Sequence, residues 1–196
     1  TAGYIHDSAR RDFFSKMDAA NVDLKAFTDD FYYKLTGSHL QPVLETLLYL
    51  RNETEVWTEI TTLLIPGKND SNEELASLSK WVVDKLGADV PVHFSAFHPD
   101  HRMQDVASTP AATLIRARDI AMGQGLHFVY TGNVHHAEGD TTFCPNCHTA
   151  LIVRDWYQLD QYLLDKHGHC PQCAGRIAGF YEDTAGNFGR QRIPVA

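Results

Sequence analysis

The stretch from Val56 to Asp70, VWTEITTLLIPGKND, decides the fold. Its first ten residues are rich in β-branched and aromatic side chains, as a strand requires, and Pro66 to Asp70 form a cluster of turn residues that stops it. Ser71 to Gly87 then reads as a helix, with Ser or Asn at its N-cap and Glu73 and Glu74 in the first turn, where carboxylates suit the positive end of the helix dipole. The same rhythm continues outward. Downstream, PVHFSAF (Pro91 to Phe97) is a strand, HPDHRMQDVAST a polar loop, Pro110 to Gly123 a helix and LHFVYTG (Leu126 to Gly132) another strand. Upstream, Asp7 to Ala20 places Phe13, Phe14 and Met17 at helical spacing, and NVDLKAF (Asn21 to Phe27) reads as a short strand. A helix over Asp29 to Leu35 is ended by Gly37, and a further helix runs from Pro42 to about Asn52. Strands separated by helices of roughly 10 to 17 residues form right-handed βαβ units, so the class is α/β with a parallel sheet. Chemistry in such sheets collects at the carboxyl ends of the strands, which places DLK, IPGKND, FHPDH and TGN together.

At 196 residues and 22.0 kDa the chain can bury one core plus a small appended module. A hydrophobic fraction of 43% and a charged fraction of 21% are those of a globular protein. No apolar run reaches the roughly 18 residues of a membrane span, and no basic-then-apolar leader opens the chain, so cytoplasm is the expected location. Seventeen Lys and Arg against 25 Asp and Glu give a net charge of -8, which repels a phosphate backbone and argues against nucleic acid as a partner.

After Asn133 the alternation breaks. HHAEGD reads as a linker, and 142–181 holds all four cysteines, Cys144, Cys147, Cys170 and Cys173, as C-x2-C-x22-C-x2-C. Two residues between cysteines let a tight knuckle aim both thiolates at one ion, and the intervening excursion, with ALIVRDW as a strand, brings the second knuckle opposite the first. Four protein ligands close a tetrahedral zinc site, which makes it structural. Rubredoxin-like iron or an iron-sulfur cluster is the rival, and His148, His167 and His169 flank the knuckles. Residues 182–196 read as an extended tail. Trp57 and Trp81 are expected to fill core between sheet and helix, and Trp156 to pack the ribbon hairpin.

The order of TAG (Thr1 to Gly3), VDLKAF, YKLTG, LLIPGKND, FHPDHRM, TGNV and FCPNC resembles the C-terminal half of radical S-adenosylmethionine (SAM) enzymes of the pyruvate formate-lyase activating type, most closely those of the AmmeMemoRadiSam system. The resemblance spans about residues 1 to 181. It implies the C-terminal part of a partial (β/α)6 TIM-like barrel over 1–134, followed by a zinc-ribbon-like module. In that family a 4Fe-4S cluster and SAM generate a 5'-deoxyadenosyl radical. Carried over, Asp23 and Lys25 lie by the methionyl end of SAM, Thr1 belongs to a cofactor-binding TNG pattern in which Ala2 replaces the amide, and His98 stands at the substrate face. The family's cluster-binding Cys-x3-Cys-x2-Cys and its GGE segment do not occur here, so cluster and SAM chemistry belong to a full-length parent. With an opening at Thr1 rather than Met, the chain reads as a portion inactive alone, whose partners are the missing N-terminal half of the barrel and a candidate protein substrate.

Two other readings follow from the residues. One is a zinc-ribbon protein-interaction module on an α/β scaffold. The other is a metal-dependent hydrolase using His93, His98, Asp100 and His101, with His135 and His136, although His93 and His98 are five residues apart on a strand and so point to opposite faces.

Overall fold

The computed structural model describes residues 1–186; the 187–196 part of the expected tail lies outside the described residues. Contacts divide the chain into a unit from Thr1 to Val134 and a second unit beginning at His135. Among the described residues, no helix is long and apolar enough to cross a membrane.

The first unit alternates helix and strand. Helix α1 (Asp7–Phe14) precedes strand β1 (Ala19–Asp23), and α2 (Asp29–Phe31) runs into a π-helical turn over Tyr32–Thr36 that Gly37, at φ 65, terminates. Then come α3 (Leu40–Glu53), β2 (Trp57–Leu64), α4 (Asn72–Lys85), β3 (Val92–Ala96), α5 (Ala111–Gly123) and β4 (Val129–Gly132). The Ser71 hydroxyl accepts from Glu74 N at 3.2 Å, the cap expected for α4. Helix α1 stops six residues short of the expected Ala20, and β1 starts and ends earlier than expected, because Ala19 and Ala20 already pair with β2.

The four strands are parallel in the order β1-β2-β3-β4, with Asp23 opposite Thr61, Thr61 opposite His93 and His93 opposite Tyr130. Right-handed crossovers in this sequential order carry every connecting helix to one side. Burial records the result. Val22, Ile60, Leu64, Val92, Phe94 and Val129 are buried, while their alternating neighbours Asp23, Glu59, Thr61, His93, Ser95 and Tyr130 are only half-buried. The second face, opposite the helices, is lined with half-buried polar and aromatic side chains and is the more open of the two among the described residues. Trp57 corrects the expectation of a core tryptophan. It stands on this open face, where its indole N–H donates to Glu59 at 3.1 Å. Trp81 is half-buried against Phe27, at 6.0 Å between ring centroids.

The residues before α1 run along the free edge of β1. The Thr1 main-chain nitrogen donates to Asn21 O, and Asp23 N donates to Thr1 O, both at 2.8 Å. Gly3 is buried at φ 66, and its carbonyl accepts from the Thr46 hydroxyl at 2.7 Å. A Cβ there would lie 2.8 Å from Val22 Cγ1 in a backbone region L side chains avoid.

The second unit contains a short helix α6 (Ala137–Asp140), where a linker was expected, and an antiparallel sheet of β5 (Thr142–Phe143), β6 (Ala150–Asp155) and β7 (Gln158–Tyr162). Trp156 departs from expectation: it sits 48% exposed at the β6–β7 turn, its indole N–H on the His135 ring.

Gly3→Ala is expected to lower unfolding free energy by about 2 kcal/mol through strain and the clash with Val22. Urea denaturation followed by circular dichroism measures it; an unchanged midpoint would refute the packing role of Gly3.

Candidate functional site

The carboxyl edge of the parallel sheet is fixed by side chains that hold strand-end carbonyls. The Thr62 hydroxyl donates to Leu24 O at 2.7 Å, and the Thr109 hydroxyl to Leu64 O at 2.6 Å. Asn69, 2% exposed, donates to Lys25 O at 2.6 Å and Leu63 O at 2.9 Å and accepts from Ile65 N at 2.7 Å. Asn133, in a left-handed conformation at φ 63, donates to Ala96 O at 3.3 Å. These bonds give the loops after β1, β2 and β3 one fixed arrangement. The IPGKND turn therefore has a structural task that its turn composition alone did not announce: its Asn69 bolts two strand ends together.

On this rim, Lys25 Nζ and Asp23 Oδ2 pair at 3.1 Å, both side chains about one-third exposed. Beneath them Tyr32, presented by the π-helical turn, accepts from Lys25 N at 3.0 Å. Burial, the larger influence, raises the Tyr32 hydroxyl to about 12 against the lowering by the Lys25 and Ala26 amides. His98 is exposed just past the end of β3, on the same carboxyl edge. The Thr1 hydroxyl accepts from Gly3 N at 3.3 Å. His93, mid-strand on the open face, bonds Glu59 through Nε2 at 2.8 Å and lies against Tyr130, 5.1 Å between centroids with 26° between planes. Sequence reasoning passed over Glu59, Thr61 and Tyr130; the period-two pattern of WTEITTLL, which puts Trp57, Glu59 and Thr61 on one face, is the signal that could have found them.

The second unit brings all four cysteines together. Their sulfurs lie within 4.8 Å of one another, with Cys144–Cys173 and Cys147–Cys170 at 3.6 Å. The two knuckles repeat one geometry. His148 N donates to Cys144 O and Ala174 N to Cys170 O, both at 2.9 Å, and His148 and Ala174 both adopt positive φ, 58 and 57. The Thr149 hydroxyl and amide lower Cys147 to about 6. At Cys173 the Gly175 amide favours the thiolate, yet the sulfurs of Cys147, Cys144 and Cys170 push it up to about 12. Thiols that cannot all ionise beside one another are the donor set a cation resolves. Asp165 is held near 2, first by the His169 amide, and accepts as well from His167 N and His169 Nδ1, which braces the approach to the second knuckle. Among the described residues, this is the one group of three or more His, Cys, Asp or Glu close enough to share an ion; His93, His98, Asp100, His101, His135 and His136 form no such group.

Comparison with known proteins follows from this geometry. No protein-family model matches the chain. A domain of pyruvate-formate lyase-activating enzyme from Bacteroides vulgatus superposes with a TM-score of 0.57 at 11% identity, over 65% of this chain and 75% of that one. The first unit's parallel α/β sheet lies within that likeness, and the chain shares the fold of that activating-enzyme domain. A radical SAM methyltransferase from Sphaerobacter thermophilus gives a TM-score of 0.49 at 17% identity, over 62% of this chain and 34% of that one, too distant to add weight. In sequence, the uncharacterized protein MJ0808 of Methanocaldococcus jannaschii is 40% identical over 178 residues, 90% of this chain. The chain spans about half, 52%, of that relative's length. In a parallel α/β sheet a ligand would be sought at the carboxyl edge and the face beside it. The residues present do not fit an iron-sulfur cluster on that face, because every cysteine of the chain is gathered in the second unit.

Two outcomes follow. Cys144→Ser is expected to abolish binding of one divalent ion per chain, read by metal analysis and by loss of the visible bands of a tetrahedral Co(II)-thiolate; full occupancy in the variant would refute the four-sulfur site. Because the folded Tyr32 ionises above its unfolded value, its contribution is complete below pH 10 and is lost as pH rises towards 12, about 3 kcal/mol in all. Tyr32→Phe should remove that alkaline loss, measured as urea stability against pH.

Proposed function

We propose that this chain supplies the SAM- and substrate-facing part of a radical SAM enzyme of the activating type, the cluster being held by residues outside it, and that the four cysteines hold structural zinc. The observation that carries the reading is the activating-enzyme-like fold, whose open, polar face and fixed carboxyl edge carry the DLK pair. Lys25 would meet the methionyl carboxylate as a point charge, Asp23 would steady that lysine and the adjoining cationic amine, and His98 and Thr1 would line the approach. SAM, when bound with a reduced cluster, supplies the 5'-deoxyadenosyl radical. This chain's residues bind and orient it.

A single tetrahedral ion, rather than a cluster, is supported by distance. Four sulfurs about 2.3 Å from one tetrahedral ion stand about 3.8 Å apart, close to the observed 3.6 Å. In a four-iron cluster each thiolate takes a separate iron, which spreads the sulfurs further. Four protein ligands leave no open position for substrate, so the centre holds the fold of its unit.

The deciding experiment pairs two proteins. The 196-residue chain, purified without oxygen and offered iron, sulfide and zinc, is expected to take up one zinc and no cluster and to cleave no SAM. The full-length Methanocaldococcus jannaschii relative, reconstituted and reduced, is expected to release 5'-deoxyadenosine and methionine from SAM. A SAM-binding cluster on the four cysteines of this chain, or a full-length relative that takes no cluster, would overturn the proposal.

A further inference from the structure

One arrangement on the open face is used by neither the metal centre nor the SAM reading. Glu59 on β2 accepts from the Trp57 indole N–H at Oε1, 3.1 Å, and from His93 Nε2 at Oε2, 2.8 Å. A carboxylate only accepts, so the neutral imidazole carries its proton on Nε2 and leaves an Nδ1 lone pair. Tyr130 lies along the ring and fixes its plane. His93 is held mid-strand rather than on a loop, and its side chain is 31% exposed. Among the described residues, no hydrogen bond reaches Nδ1.

An imidazole with one nitrogen oriented by a carboxylate and the other presented to an accessible surface is the arrangement of a general base. A plain surface ion pair would tie β2 to β3 and contribute little. It would not need the indole of Trp57 to fix the carboxylate or an aromatic ring to fix the imidazole. We propose that His93 is a proton acceptor of the open face, oriented by Glu59, for a substrate presenting a weakly acidic C–H or N–H. In the step, the Nδ1 lone pair forms an N–H bond as the substrate's C–H or N–H bond breaks, and the bonding electrons stay on the substrate. The imidazolium charge is met by Glu59 across the existing hydrogen bond, and water then reclaims the proton. Neither metal nor SAM takes part, so this inference stands apart from the reading above and fails separately from it.

The test uses the whole chain and 5-nitrobenzisoxazole, a carbon acid. Removal of its ring C–H proton breaks the N–O bond and leaves a coloured cyanophenolate. The wild-type chain is expected to exceed His93→Ala by at least about tenfold, and Glu59→Gln to lose much of that gain. Long-range 1H–15N spectra of histidine-labelled protein are expected to show His93 as the Nε2–H tautomer and Glu59→Gln as a tautomer mixture, a change that a merely structural role would not produce. His93→Gln serves should the alanine variant fail to fold. Equal rates for wild type and a folded His93 variant, or an Nδ1–H tautomer in the wild type, would overturn the proposal.

Discussion

Carbonyls at the carboxyl ends of parallel strands must be bonded to something once the ladder runs out, and a buried carbonyl left without a donor costs about 1–3 kcal/mol. In this chain the donors are side chains of the adjoining strand or loop. Thr62 serves Leu24, Asn69 serves Lys25 and Leu63, Thr109 serves Leu64, and Asn133 serves Ala96. One solution to the backbone requirement therefore also positions the rim. Lys25 stands where it does because its carbonyl is held by Asn69 and its amide by Tyr32, two groups that are themselves buried. The half-buried Asp23–Lys25 pair still faces solvent enough to contribute little to stability, and its orientation comes from the backbone beneath it.

The second constraint is the handedness of the crossovers. Because strand order follows chain order, all the connecting helices fall on one side. The apolar row of each strand is buried there, and the opposite row is left to carry chemistry. That division explains why Glu59, His93 and Tyr130 lie on neighbouring strands in one stretch of surface although they are far apart in sequence. On the same face a Cβ at Gly132 would stand 3.0 Å from Ser95 Oγ on the adjacent strand, a close approach that the Ser95 hydroxyl would have to relieve.

Much of this was legible in the chain. β-Branched runs, turn clusters and helical spacing gave the parallel α/β class, and the paired Cys-x2-Cys knuckles gave the four-cysteine group. The order of short motifs gave the activating-enzyme-like fold. What was not legible depended on register or competing bonds. Trp57 reads as core by hydrophobicity, but its parity within β2 puts it on the open face. The helical spacing of Phe13, Phe14 and Met17 suggested a helix to Ala20, but pairing of Ala19 and Ala20 with β2 claims those residues for the sheet. Tyr32–Thr36 is helical in pattern, while its π-helical winding, which brings the Tyr32 hydroxyl to the Lys25 amide, has no signature in the sequence. The Glu59–His93 pair joins residues 34 apart through strand register, beyond the reach of any local motif.

The thiols set the division of labour. The Thr149 hydroxyl and amide favour the thiolate at Cys147, while at Cys173 the neighbouring sulfurs outweigh the Gly175 amide, because four sulfurs crowd one space and each thiolate formed there makes the next harder to form without a cation. A cation turns that repulsion into attraction and releases the protons, so metal binding and completion of the knuckles are one event. With every cysteine engaged there, the open face has no soft ligand to offer a cluster. What the face does offer is carboxylate, ammonium, imidazole and phenol. These groups bind charge and move protons, and electron chemistry on this face would have to be brought by residues that this chain does not contain.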